Sequence, residues 1–180
     1  MEAHVFAEGS NTTADDPDQP LMEYYQGLFG MVTGLHDELD EVADAELHVI
    51  SEEFGIADGN QSLATLRDER DVPVGFDNMA EMSKTALLDA AKDAEIMVIL
   101  LSTDVFDATV HEIWDELVDA AKSDTIWCLG AARSSLNSVD REALEAKGCT
   151  VLTYQRKGVA RLGTETRDEL LGAIQKRAPQ

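Results

Sequence analysis

Short apolar runs rich in β-branched residues alternate along this chain with longer helix-patterned segments, and that alternation is what most constrains its fold. The runs Ala3–Glu8, Glu46–Ser51, Glu95–Ser102, Thr125–Gly130 and Cys149–Gln155 read as strands. Within the third, Ile96–Leu101 is apolar without interruption, as a central strand covered on both faces must be. Between the first two strands, Leu21, Tyr25, Leu28, Val32, Leu35, Leu39 and Val42 step by four and three residues in turn. That is one apolar stripe, and it predicts one helix. A coiled coil shows the same spacing, but the stripe is short, and a helix packed on a sheet is the expectation. Gly27, Gly30 and Gly34 each weaken such a helix by about 1 kcal/mol relative to Ala.

Further helices are expected over Asn78–Asp93, then along a face made by Val110, Ile113, Trp114, Leu117, Val118 and Ala121. A fourth should start near Ser138. The last should run from Thr166 to Lys176, with Thr166 and Glu169 spaced as a capping box. Strand–helix alternation of this kind implies a single three-layer α/β domain over residues 1–180. Its sheet of about five strands is mostly parallel, helices cover both faces, and the class is Rossmann-like. A chain of 180 residues can bury roughly 70% of its unfolded surface without disulfides. Cys128 and Cys149, in or beside apolar runs, read as buried reduced thiols.

The charge is unusual. With 36 acidic against 14 basic residues, the formal charge is −22. In dilute buffer this strains a compact state, whereas at molar salt the Debye length falls to about 3 Å and the repulsion is screened. Only six of the basic residues are lysines. A carboxylate-rich, lysine-poor surface on a well-patterned globular chain points to adaptation to a cytoplasm of high salt; the rival is an acidic partner protein in an ordinary cell, although the acids are spread over most of the chain. The first ten residues lack the basic flank and apolar core of a secretion signal, and Ile96–Leu101 is too short to span a membrane. A cytoplasmic protein with no membrane partner is therefore expected.

In an open α/β sheet, ligands bind at the carboxyl ends of the strands, which directs attention to Glu8–Asn11, Ser51–Gly55, Ser102–Asp104, Gly130–Ser135 and Gln155–Arg161. Residues 1–66 hold 15 acids and neither Lys nor Arg, while residues 147–180 hold seven of the 14 basic residues and three acids. Arg156, Lys157 and Arg161, with Gly158 and Gly163 among them, could cradle a phosphate directly after the last strand. Equally, that segment could pair with the acidic half of the chain. Ser51 and Glu52 open a stretch reaching Asp58-Gly59, whose paired acids suit acid–base work and whose Asp-Gly suits a tight connection. Arg133 and Ser134 stand among small residues where a ligand could approach the backbone, or where a serine could cap a helix. Ser10 and Ser102 complete the set of polar side chains at the strand ends.

No P-loop, dinucleotide fingerprint, nucleophile elbow or zinc-protease motif occurs, so no cofactor is assigned. His4, His36, His48 and His111 are scattered. His4 and His48 fall on strands that could be neighbours, but no metal site is expected from them. There is no basic-aromatic face for direct binding of nucleic acid.

Tyr25-x-Gly27-x-Phe29 in a helix after a short strand, then a strand ending Ile50-Ser51-x-x-Phe54-Gly55-Ile56, resembles a family of small prokaryotic α/β proteins similar to the peroxide-stress protein family. The resemblance covers the N-terminal third. It departs where such relatives carry a Cys and a Lys after the first strand, because Glu8-Gly9-Ser10-Asn11-Thr12 stands here, and Phe54 replaces a Tyr. It implies an α/β fold and a tie to nucleotide or nucleic-acid handling. Two functions follow from all these features. One is a domain binding a nucleotide or another phosphate-bearing ligand, with hydrolase or glycosidase activity as an extension. The other is a non-catalytic assembly protein, including a homo-oligomer, that pairs its acidic half with its basic segment.

Overall fold

A computed structural model describes residues 1–9, 12–27, 29–155 and 172–173. Those residues form one sheet with helices packed around it, an α/β fold. The strands are β1 (Glu2–Glu8), β2 (Asp44–Ser51), β3 (Gly55–Asp58), β4 (Ile96–Leu100), β5 (Ile126–Ala131) and β6 (Thr150–Gln155). Their order across the sheet is β3-β2-β1-β4-β5-β6. All neighbours run parallel except β3, which returns antiparallel to β2.

Every residue of β4 is buried, as its unbroken apolar sequence requires of a strand inside the sheet. Alternation along the strands sorts the interior into two clusters. Phe6, Ile50, Met97, Ile99, Trp127 and Leu129 belong to one, together with side chains of α4 (Phe76–Asp93), α5 (Thr103–Ala108) and α6 (Trp114–Ala120). Val5, Leu47, Val49, Val98 and Cys128 belong to the other, with side chains of α1 (Leu21–Tyr24), α2 (Phe29–Asp40) and α3 (Leu63–Glu69). In α4 the buried Met79, Ser83, Leu87, Ala90 and Ala91 recur at helical spacing, which turns one stripe onto the sheet.

The stripe expected to be one helix is broken in two. After Tyr24 the backbone of Tyr25 is extended, with ψ 128°, and Gly27 takes φ +67°, a left-handed conformation that disfavours other residues. Backbone bonds hold the break in place: Ala14 N–H donates to Tyr24 C=O (2.7 Å) and Gln26 N–H to Thr12 C=O (2.8 Å). Of the stripe, Leu21, Tyr25, Val32, Leu35 and Leu39 are buried, Leu28 lies outside the described residues, and Val42, just beyond α2, is exposed.

Three other expectations change. The stretch after Ser51 is a hairpin rather than a simple connection, and β3 is a short edge strand. The Arg70 guanidinium donates to the carbonyls of Phe54 (2.7 Å) and Ile56 (2.8 Å), occupying acceptors of that edge. The face through Val110 and Trp114 is interrupted as well, since α5 and α6 flank a turn at residues 109–113. The helix expected near Ser138 is two short ones, α7 (Arg133–Asn137) and α8 (Arg141–Glu145). Most of the helix expected over 166–176 lies outside the described residues. No helix among those described is long and apolar enough to cross a membrane.

Candidate functional site

β1 lies between β2 and β4, so the chain leaves β1 in one direction along the sheet and later returns on its other side. The carboxyl ends of β1 and β4 therefore flank the point where strand order reverses, which is where open α/β sheets form a ligand crevice. Glu8 ends β1 on the side of α4 and α5. Its carboxylate accepts from the Ser102 N–H (2.9 Å) and from the Ser102 hydroxyl (2.6 Å). Ser102 is the residue before α5, so one side chain ties the two strand tips together.

Gly9 follows, its N–H donating to Ile50 C=O (3.2 Å). On its other side stands Tyr25, and a Cβ on residue 9 would fall 2.5 Å from the phenol ring. Only glycine allows that approach. Ser51, at the end of β2, lies beside the Tyr25 hydroxyl. Burial, and secondarily the negative charge of Glu53, push the Tyr25 phenol up to about 12, and the Ser51 hydroxyl partly offsets them. The Ser51 hydroxyl also accepts from the Glu53 N–H (3.1 Å), and Glu53 is bridged by Arg67 through Nε (3.0 Å) and Nη2 (2.9 Å). Thus a carboxylate and three hydroxyls flank the tip of β1.

Beside these strand tips, two residues past Ser102, an open cleft of about 710 Å³ separates α4 from α5. Asp77, Glu81, Asp104, Asp107 and Glu112 line it. Lys84 enters it, paired with Glu81 (3.0 Å) and Glu112 (2.8 Å).

Of the side chains expected at the strand ends, Ser51 and Ser102 thus lie on either side of the β1 tip. Glu52 is exposed and contributes its carbonyl, which accepts from Gly75 N–H (3.0 Å). Arg133 and Ser134 open α7 and are exposed, while the neighbouring Ser135 hydroxyl donates to Asp107 (3.0 Å). Ser10, Arg156, Lys157 and Arg161 lie outside the described residues. Glu8 opens the Glu8–Asn11 stretch expected at a strand end, whereas Tyr25 entered the sequence reading only through the apolar stripe and the Tyr25-x-Gly27-x-Phe29 motif, not as a site residue.

The chain matches no protein-family model, no curated protein and no solved structure.

Proposed function

We propose that the domain binds a nucleoside- or nucleotide-like small molecule at the tips of β1 and β4. The observation that carries this is the Glu8 carboxylate, held at the strand-order reversal by the Ser102 N–H and hydroxyl. A carboxylate has about four lone-pair sites, so Glu8 keeps acceptors for a ribose diol after both contacts. It also repels a phosphate from that spot. The phosphate instead belongs further along the row of strand ends, towards Arg133, with Arg156, Lys157 and Arg161 following β6 in the sequence. Dinucleotide-binding sheets likewise use a carboxylate for the diol and a separate element for the phosphate, although there the phosphate takes the first strand's tip. The partial resemblance to the peroxide-stress protein family points to the same ligand class.

Titration of nucleosides, their 5′-monophosphates and inorganic phosphate in molar KCl tests the proposal. Glu8→Gln should weaken nucleosides and nucleotides alike, and Arg156→Ala only the phosphorylated ligands. No binding by the wild type, or identical binding by all three proteins, ends the idea. Release of free base in the same samples tests the hydrolase or glycosidase extension.

A second function has its own support in the acidic cleft between α4 and α5. Five carboxylates around one lysine offer a seat for the basic segment of another copy. Sedimentation of the wild type against an Arg156→Ala, Lys157→Ala variant distinguishes the two, because only assembly predicts a loss of mass.

Adaptation to a salty cytoplasm completes the proposal. Because −22 charges repel within one compact body, the melting temperature should climb from dilute buffer to molar KCl. A flat or falling trend removes this part.

A further inference from the structure

At the amino ends of β1 and β2, on the face turned towards α4, a second group of polar side chains converges. His4 on β1 and Glu46 on β2 are register partners, and His48 follows on the same face beside Phe6. His4 Nδ1 lies 2.9 Å from His48 Nε2. One carboxylate oxygen of Glu46 stands 3.6 Å from that His4 nitrogen and 3.7 Å from that His48 nitrogen. Packing holds the rings: His48 stacks on Phe6 at 4.4 Å between centroids and on His4 at 5.2 Å. His4 is buried, whereas Glu46 is exposed, so the group opens to solvent on the carboxylate side.

Three lone-pair donors meet here, and a hydrogen bond between two neutral imidazoles uses only one proton for the pair. The carboxylate that faces both nitrogens gains nothing from that bond. A single divalent ion satisfies all three groups. Metal–nitrogen and metal–oxygen bonds of about 2.0–2.2 Å place neighbouring donors roughly 3.0–3.5 Å apart. The observed separations of 2.9, 3.6 and 3.7 Å bracket that range, so small side-chain adjustments suffice. An outer carboxylate is also in position. Glu2 stands 3.7 Å from the far nitrogen of His4, as in the carboxylate–histidine–metal arrangements that orient ligating imidazoles. Asp58, the register partner of His48 on β3, adds a further acidic side chain on that face.

We infer that His4, Glu46 and His48 bind one divalent first-row metal ion of zinc-like preference, with at least one coordination position open to solvent. Two imidazoles and one carboxylate suit Zn²⁺ or Co²⁺ and not Mg²⁺ or Ca²⁺, which prefer oxygen throughout. The site is independent of the ligand proposed for the other end of the sheet, since His4 and Glu8 are about 13 Å apart along an extended strand.

Zn²⁺ and Co²⁺ alone are the probes, added to the metal-free protein in molar KCl so that general attraction to its carboxylates is screened. One equivalent of Zn²⁺ should bind in competition with a chromophoric chelator. Co²⁺ should acquire the intense ligand-field absorption of four or five coordination, and Mg²⁺ should not compete. Outer-shell changes cost about 10–100-fold in metal affinity, so Glu2→Gln should fall in that range and the ligand change Glu46→Gln should cost at least as much. Both side chains are exposed, and unchanged metal-free melting confirms that the variants fold. His48→Gln should abolish binding; should it fail to fold, Glu46→Gln decides. The inference is overturned by absence of stoichiometric binding, by equal competition from Mg²⁺, or by wild-type affinity in Glu46→Gln.

Discussion

The two ends of β1 treat their polar groups in opposite ways. At the carboxyl end, Glu8 is an acceptor met by donors, the Ser102 N–H and hydroxyl. At the amino end, His4, His48 and Glu46 bring acceptors together with few protons among them. The same strand thus carries a donor-anchored carboxylate at one end and a donor-poor cluster at the other. The Ser102 donors arrive because Ser102 directly precedes α5, whereas the groups of the amino-end cluster all come from β1 and β2 themselves.

The most damaging test removes both ends at once. Ile99 is fully buried in β4, the strand paired to β1 along most of its length. Ile99→Asp places a carboxylate without a partner in the core and should cost more than about 4 kcal/mol, leaving no folded protein by circular dichroism. A soluble, cooperatively melting Ile99→Asp variant contradicts the placement of β4.

Acid should separate the two ends. Burial, and then the charge of neighbouring His4, lower the His48 pKa from 6.5 to about 4, with Asp58 opposing in part. The unfolded chain therefore binds this proton more readily than the folded one. The stabilisation is present above pH 6.5 and disappears as pH falls towards 4, about 3 kcal/mol across that window. Denaturant melts at pH 7, 6, 5 and 4 should show the loss, and a His48→Gln variant should show a shallower slope. Equal slopes would mean that His48 titrates normally and that the carboxylates alone cause acid unfolding.

Alkali probes the carboxyl end. Tyr25 stays protonated in the fold up to about 12, so its contribution is complete below pH 10 and is lost as pH rises through 12. The size is about 2–3 kcal/mol. Ultraviolet titration of tyrosinate should reveal one late-ionising phenol, absent from Tyr25→Phe; a wild type whose phenols all ionise near pH 10 rules this out.

The smallest expected effect sharpens the contrast most. Glu8→Gln keeps an acceptor for Ser102 but removes the charge, which should cost about 1–2 kcal/mol near pH 7. If the loss is instead below a few tenths, Ser102 does not hold the carboxylate, and the two ends of β1 differ less than their geometry indicates.

Much of the fold could be read along the chain because it depended on local periodicity. Ile96–Leu101 announced a strand covered on both sides, and burial of all of β4 agrees. The α4 stripe was equally visible. The four-three spacing is a true record of burial at Leu21, Tyr25, Val32, Leu35 and Leu39, fails at Val42, and is a false record of helix continuity. A backbone tied to Thr12 and Ala14 lets Tyr25 reach the core without helical geometry. In β3, four residues with a glycine at their start carry too little pattern to separate a strand from a turn.

By itself the sequence determined the class of fold, the central position of β4 and the acidity of the surface, because hydrophobic spacing and charge are local properties of a chain. Tertiary structure alone decided which chemical groups meet. Glu8 and Ser102 are 94 residues apart, and His4 and His48 are 44 apart. No periodicity encodes such pairs. They depend on strand order and register, which join segments far apart in the chain and so leave no local trace in it.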